Sequence, residues 1–511
     1  MEQIKSIPAE KFQFVNASDL SHEKKLVTKP RSYMRDALSR FCKNKGSIVG
    51  AIVIVFLLLY ALIAPLCTPY TVSYNDTYLI KTLPKCEWFA GTTFWDGCEE
   101  KSLNRETFMY YYYMGEETGH NAVKNQEYTR SGSMYNFRLD SYQSTGCVYM
   151  DLSAEEYERI QQYQDETGIQ VIYPTIAKKH RPTATVDKNN ANYYYKTTEY
   201  NGGTKIVLDD NGNIIPVYKS HDVGETGKDN YHSIRIAGDG ENGIEYEYAL
   251  PNDMGYNIRV NYYEYYVYHH SYVLQDGIAK PSFLFGTTET GQDIFTCLAS
   301  GALFSFAFAI SVAIVNMIVG AIYGAIEGYY GGKIDLVMER VSDILSAIPS
   351  VIVITLLQLH MGTSSSMIVL FVAFFLTGWI GMASRTRMQF YRYKNQEYVL
   401  AARTLGAKDR RIIWKHIFPN ALGTLVTSCA LIIPSMIYSE VNLSYLGIIS
   451  LTSNGLTSVG TILANGQPFL TSAPHIVAFP SVFLALLLLS FNLFGNGLRD
   501  AFNPTLRGSE G

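Results

Sequence analysis

Residues 397–420, EYVLAARTLGAKDRRIIWKHIFPN, join a dense run of cations to a helical apolar period, a pairing that suits docking against a partner protein better than bond-making chemistry. Val399, Ala401, Ala402 and Leu405 recur at helical spacing, Gly406 interrupts, and Ile412, Ile413, His416 and Ile417 resume the period before Pro419. The pattern predicts two short amphipathic helices with a glycine hinge. Asp409 would cap the second, and Arg410, Arg411 and Lys415 would leave its outer face cationic.

Other candidate chemistries are narrower. Gly328–Lys333 sets glycines beside a lysine, but Glu327 stands where a Walker A loop opens on glycine and Ile334 where it needs Ser or Thr. The chain therefore carries no nucleotide loop of its own. Arg340 and Asp343 share a helix face near the end of a span, as a structural ion pair or as a pathway contact. Glu440 sits among Tyr438, Asn442, Ser444 and Tyr445 near the outer end of a later span, where a wet gate and a solvated helix end are both open. Cys86 and Cys98 have the spacing to close a small loop outside the cytoplasm, leaving Cys147 odd; three unpaired thiols is the alternative. No metal-ligand, Ser-His-Asp or paired-carboxylate constellation has diagnostic spacing.

The elements that must position these residues follow from the distribution of apolar runs. Net charge −4 averages two unlike materials, a hydrophobic shell and a polar, acidic middle. Residues 1–46 form a polar tail ending in Arg31, Arg35, Arg40, Lys43 and Lys45, and 47–70 a first membrane helix whose apolar stretch reaches about 31 Å, enough to span a bilayer. Its upstream cations hold the tail in the cytoplasm and send the following residues outside. Residues 71–282 read as an inserted extracytoplasmic α+β domain, mostly β. A capping box at Ser153 opens a helix to about Gln164, and strands are predicted at 168–176, 204–208, 214–218 and 257–272, with Asn-Gly turns at 201, 211 and 242. In the last strand the Tyr262–Tyr268 run offers aromatic faces for sheet packing or for a partner. A membrane core, 283–497, adds spans near 300–326, 336–360, 366–383, 422–446 and 474–495, with a bend at Pro349, a basic loop 384–421 and a terminal tail 498–511. Six crossings place both termini and the basic loop inside.

Leu400-Ala401-Ala402, with Gly406 at the following interval and Phe418-Pro419 beyond, resembles the "EAA" loop of the membrane subunits of bacterial ABC importers, in the subfamily that imports oligopeptides and dipeptides. Leu400 stands where the family has Glu, and Glu397, one turn earlier, can substitute. The stretch Phe285–Asp293, FGTTETGQD, resembles the family's entry to its core with Gln292 replacing Arg, and the likeness covers residues 31–70 and 283–507. The resemblance implies a six-helix type I importer fold, in which Glu397, Ala401, Ala402, Gly406, Ala407, Arg410, Arg411 and Pro419 form an ATPase-coupling loop and Arg340, Asp343 and Glu440 are gate or pathway candidates. It further implies a second permease subunit in a heterodimer, two ABC ATPase subunits carrying ATP and Mg, an extracellular peptide-binding protein, the lipid of a bacterial cell membrane, and neither cofactor nor nucleic acid on this chain. Nickel complexes and glycans are alternative cargoes of related permeases. A membrane-anchored receptor or sensor would explain the inserted domain but gives no reason for the Gly406–Pro419 pattern, and an anchored enzyme lacks a catalytic constellation.

Overall fold

The computed structural model describes residues 33–89, 92–176, 197–200, 203–206, 208–212, 235–236, 246–362, 366–449, 451 and 456–502. The chain enters through α1 (Tyr33–Phe41) and α2 (Lys45–Cys67). A β-rich region follows: β1 (Cys98–Asn104), α3 (Arg105–Thr118), β2 (Val123–Ser131), β3 (Met134–Asp140), β4 (Cys147–Leu152), α4 (Ala154–Thr167), β5 (Ile172–Tyr173), β6 (Thr175–Ile176), β7 (Thr197–Tyr200), β8 (Gly203–Ile206), β9 (Arg235–Ile236), β10 (Tyr246–Glu247), β11 (Ala249–Asn252), β12 (Gly255–Asn261) and α5 (Tyr262–Tyr268). The helical part then runs α6 (Ile294–Tyr330), α7 (Gly332–Ser346), α8 (Ser350–Met361), α9 (Ser366–Gly378), α10 (Ile380–Tyr393), α11 (Glu397–Thr404), α12 (Asp409–Arg411), a π-helical turn Ile412–Ile417, α13 (Phe418–Tyr445), α14 (Val459–Gly466) and α15 (His475–Phe502).

Among the described residues five helices are long and apolar enough to cross a membrane: Lys45–Cys67, Ile294–Tyr330, Ser366–Tyr393, Asp409–Tyr445 and His475–Phe502. The pair α7 and α8 makes a sixth when counted as one span, and it is bent by 65° at the break that Pro349 closes as N-cap of α8. Proline has no N–H to continue the ladder, which puts the bend at that residue. Helix α6 is the longest unbroken α-helix among the described residues. Its 37 residues reach about 55 Å, well past a hydrocarbon core of about 30 Å. Asp293 starts it by accepting the N–H groups of Phe295 and Thr296.

Glycines let the helices touch backbone to backbone. On α6, a Cβ at Gly320 would stand 2.6 Å from the Trp379 carbonyl oxygen and one at Gly328 2.7 Å from the Phe390 Cβ, while one at Gly324 would overlap the Ala383 carbonyl. The three lie four residues apart, so one small-residue stripe faces α10. Gly50 does the same for α2 against α15, 2.6 Å from the Ser490 carbonyl oxygen.

The β-rich region has two larger sheets. In the first, β1, β3 and β2 pair antiparallel under α3, with Phe108, Met114, Phe137 and Leu139 between them. In the second, β11, β12 and β4 pair antiparallel with β5 added to β12, and Ile258 and Val260 meet Tyr157 and Ile160 of α4. Arg259 of β12 reaches Glu117 of α3 through two bonds of 2.7 and 2.8 Å, and each side chain is only 1 % exposed. That buried pair ties the two sheets' helices and strands together.

Several expectations are corrected. Tyr262–Tyr268 is a helix, because Asn261 caps it by accepting the Glu264 N–H. Its aromatics face inward: the Tyr262 hydroxyl donates to both oxygens of Asp76 at 2.8 and 2.7 Å, and Tyr266 pairs with Tyr70 at 3.1 Å. This face is spent on joining the β-rich region to the chain beside α2 and offers no partner surface. Burial there pushes the Tyr70 phenol up to about 12. Cys86 and Cys98 are free thiols; Cys98 Sγ donates to the Asp96 carbonyl at 3.7 Å, and burial pushes it up to about 12, so it stays protonated. The expected strand 168–176 is reduced to β5 and β6, since Gly168 is the left-handed C-cap of α4 and the Gln164 amide oxygen takes the N–H groups of Val171 and Ile172. The strand expected at 214–218 and the turns at Asn201-Gly202 and Asn242-Gly243 lie outside the described residues, while Asn211-Gly212 is a turn. Helix α10 runs on to Tyr393 and α15 to Phe502, beyond the expected span ends.

Two stability outcomes follow. Gly324→Ala should destabilise the detergent-solubilised protein by about 1–3 kcal/mol, since the α6 and α10 backbones must part. Gly381→Ala, where nothing lies within 4 Å of the added Cβ, should be neutral or stabilise by about 0.5–1 kcal/mol. Arg259→Met should cost about 3–5 kcal/mol by leaving the Glu117 carboxylate buried without its cation, and adding Glu117→Leu should recover most of it. Thermal unfolding of the purified variants reads both sets.

Candidate coupling site

The candidate coupling segment, residues 397–420, is built from its buried side outward. Val399 of α11 and Ile412, Ile413 and Ile417 of the π-helical turn pack against Ala325 and Tyr329 at the end of α6 and Phe390 of α10. Val399 anchors the first half of the segment and Ile412, Ile413 and Ile417 the second, while the stretch between them stays at the surface. Leu400, Leu405 and Trp414 are exposed, Leu405 to 87 %, in the company of Arg403, Lys408, Arg410, Arg411 and Lys415. Glu397 and Ala401 are exposed as well, with Ala402 and Ala407 half-buried. The arrangement is an apolar knob in a cationic collar, seated on two membrane helices.

The turn between α11 and α12 is closed by geometry that requires glycine. Gly406 has φ +81°, in the left-handed region. Its N–H donates to the Arg403 carbonyl at 2.9 Å, and the Ala407 N–H reaches back to the Ala402 carbonyl at 3.0 Å. These two bonds make a Schellman C-cap. No atom lies within 4 Å of a Cβ at Gly406, so backbone conformation alone demands glycine there.

Asp409 does not cap α12. Lys408 is the N-cap residue without a side-chain bond, and the Asp409 carboxylate accepts the Tyr329 hydroxyl at 2.6 Å instead. Arg403 reaches the same hydroxyl at 3.4 Å, and Lys394 Nζ donates to the Gly328 carbonyl at 2.9 Å. The end of α6 is thus bonded to both sides of the loop. Pro419 does not stop the helix either. The chain turns through the π-helical residues, where the Phe418 N–H bonds the Ile413 carbonyl, and continues through Pro419 in the first turn of α13. Proline at that position loses only an N–H that the first turn leaves free.

Arg340 and Asp343 form an ion pair of 2.9 Å, both more than half exposed, a geometry worth little to stability. The consequential charges nearby were not singled out from sequence. Arg387 of α10 bonds Asp335 at 2.6 and 2.8 Å and Glu339 at 2.9 and 3.2 Å, while Tyr391 donates to Asp335 at 2.6 Å and Glu327 stands 3.6 Å away. Asp335 and Glu339 are four apart on α7, which also carries Lys333, Arg340 and Asp343, and that spacing was the available signal.

Glu440 is fully buried, which removes both the wet gate and the solvated helix end. Its carboxylate accepts from Ser305 of α6 at 2.9 Å and Ser444 at 3.1 Å. The cover is α14, a short helix that the sequence reading missed. A Cβ at Gly460 would lie 2.8 Å from the Val441 Cα, and one at Gly301 2.9 Å from Ser458, so α14 lies directly on α13 and α6.

The family model for the "Binding-protein-dependent transport system inner membrane component" matches residues 317–508, from within α6 past α15 with the coupling segment inside it. The model for the "N-terminal TM domain of oligopeptide transport permease C" matches residues 32–84, leaving 85–316 outside both. The oligopeptide transport system permease protein OppC of Bacillus subtilis (strain 168) is 41 % identical over 223 residues, 44 % of this chain and 72 % of its own. The dipeptide transport system permease protein DppC of the same organism is 39 % identical over 224 residues, 44 % of this chain and 69 % of its own. Among solved structures, an inward-facing MetNI methionine ABC transporter aligns at a TM-score of 0.34 and 16 % identity, over 40 % of this chain and 96 % of its own. With a matched permease core, a matched N-terminal helix and relatives covered over more than two thirds of their length, this chain belongs to the family of binding-protein-dependent transport system inner membrane components.

Proposed function

We propose that this chain is one of two membrane subunits of an ATP-driven importer of peptides in a bacterial cell membrane. The observation that carries the reading is the Schellman-closed loop with its apolar knob and cationic collar, bonded to the end of α6 by Tyr329 and Asp409. A loop so anchored moves only with the helices beneath it. Two ABC ATPase subunits, holding ATP and Mg that this chain does not bind, would dock on Leu400, Leu405 and Trp414. Their closure would draw the two permease subunits' loops together and rock α6, α10 and α13 between inward-open and outward-open arrangements. Coupling is mechanical, with no chemistry on this chain. The names of the matched relatives support peptides as cargo.

The orientation belongs to the same proposal. Both termini and the coupling segment are cytoplasmic, and residues 71–282 are an extracytoplasmic insertion. It stands where α2 ends and α6 begins, so it is tethered at the mouth of the pathway and receives or steers a peptide-binding protein at high local concentration. A receptor reading leaves the anchored loop without a task.

Two experiments test this. In intact cells on a cysteine-free background, a membrane-impermeant maleimide should label Asp253→Cys and spare Lys408→Cys; the opposite pattern overturns the orientation. In reconstituted vesicles with the ATPases and binding protein, Gly406→Pro removes a bonded N–H and a φ that proline cannot adopt, so uptake should fall about tenfold or more while assembly and ATP hydrolysis persist. Ala401→Trp, which crowds only the exposed face, should do the same. Normal uptake by both well-assembled variants removes the coupling assignment.

A further inference from the structure

At the end of the bundle that carries the β-rich region, a cavity of about 210 Å³ opens between Ser73 after α2, Glu289 and Gln292 before α6, and Thr457, Thr461 and Asn465 at α14. Among the described residues its lining carries one formal charge, the Glu289 carboxylate, and no cation. Glu289 Oε2 is buried and accepts no hydrogen bond. Glu289 is half-buried as a residue, but this oxygen has lost hydration that no described side chain replaces, a condition that calls for an explanation.

The neighbours are held, so the orphaned oxygen is not the result of a loose loop. Gln292 Nε2 donates to the Val72 carbonyl at 2.7 Å, and its Oε1 accepts from Thr290 at 3.3 Å. The Thr288 hydroxyl accepts the N–H groups of Thr290 and Gln292 at 3.3 and 3.1 Å. Gly291, at φ +78°, presses so closely on the Asp76 carbonyl that a Cβ there would overlap it. The loop around Glu289 is therefore braced against the segment leaving α2, and no side chain lining the cavity brings a positive charge to the carboxylate.

What satisfies this set is a compact cation with several N–H donors. A primary ammonium has three, enough for Glu289 together with the hydroxyl oxygens of Thr457 or Thr461 and the Asn465 amide oxygen. The volume admits an ammonium and the residue that bears it. We infer that the cavity takes the primary ammonium of the cargo, with Glu289 as its counter-ion; the inference rests on the peptide-import reading above. In a peptide that ammonium is the amino terminus or a lysine side chain, and the same chemistry serves both.

The test uses the assembled complex in vesicles, on a cysteine-free background of this chain with Ser73→Cys as the reporter at the cavity. The rate of labelling by a neutral maleimide is measured with trialanine, N-acetyl-trialanine and N-acetyl-lysyl-dialanine. Trialanine should slow labelling severalfold, N-acetyl-trialanine should not, and Glu289→Gln should abolish the protection while co-purification of the ATPases shows that the complex is intact. Protection by the lysyl peptide, lost in Glu289→Gln, assigns the site to side-chain ammonium as well; no protection by it restricts the site to the amino terminus. Equal protection by trialanine and its acetylated form, or protection that survives Glu289→Gln, overturns the inference. Trialanine uptake by the parent complex is read alongside. Uptake without Glu289-dependent protection sinks the inference and leaves the peptide reading standing, whereas absence of uptake sinks the reading and the inference with it.

Discussion

The backbone of α6 lies against that of α10 along Gly320, Gly324 and Gly328, and most of what this protein does depends on that contact. Lipid is as apolar as leucine, so burying more leucine between two membrane helices gains little. Close van der Waals approach and polar bonds between helices must supply the cohesion instead. Glycine permits the first. The Arg387 cluster, which joins α10 to Asp335 and Glu339 of α7 and to Glu327 of α6, supplies the second at the end of the same interface.

Because α6 is one continuous helix, it joins two ends of the molecule that the sequence separates widely. At its start, Asp293 caps the helix beside the braced Thr287–Gln292 loop. At its finish, Tyr329 holds Asp409 and Arg403 of the coupling segment. Backbone contact over the last third of α6, next to the loop, resists the local bending that would absorb a push at that end. A displacement of the loop would therefore reach the helices as a rigid movement, as the proposed coupling requires.

The β-rich region is attached by aromatics rather than by charge. Tyr262 and Tyr266 of α5 bond Asp76 and Tyr70, while Tyr142 donates to the Leu83 carbonyl at 2.9 Å and packs on Phe283. These contacts clasp the outgoing and returning strands of chain together, so the two ends of the region are fixed to one place on the bundle. Within the region, the Arg259–Glu117 pair is the costly feature. Two charges held out of water are tolerable only while both are present and fully bonded.

Where an element's cause is local, it was legible in the amino-acid sequence. The apolar runs marked the membrane helices, Ser153 with Glu156 marked the start of α4, Pro349 marked the bend before α8, and Gly406 marked the hinge that the structure shows at φ +81°. Each of these depends on a few adjacent residues: a hydrophobic length, a cap, a missing N–H, a missing Cβ. Tertiary structure decided the rest. Tyr262–Tyr268 has the composition of a strand and became a helix because Asn261 caps it and Asp76, far away in the chain, takes the Tyr262 hydroxyl. Pro419 looked like a stop and became part of a helix because the π-helical turn before it absorbs the change of register. Glu440 looked wet and is dry because α14 folds over it. Of the Arg387 cluster only the four-residue spacing of Asp335 and Glu339 was legible, and the Glu289 cavity not at all, since each is assembled from segments that meet only after the helices pack.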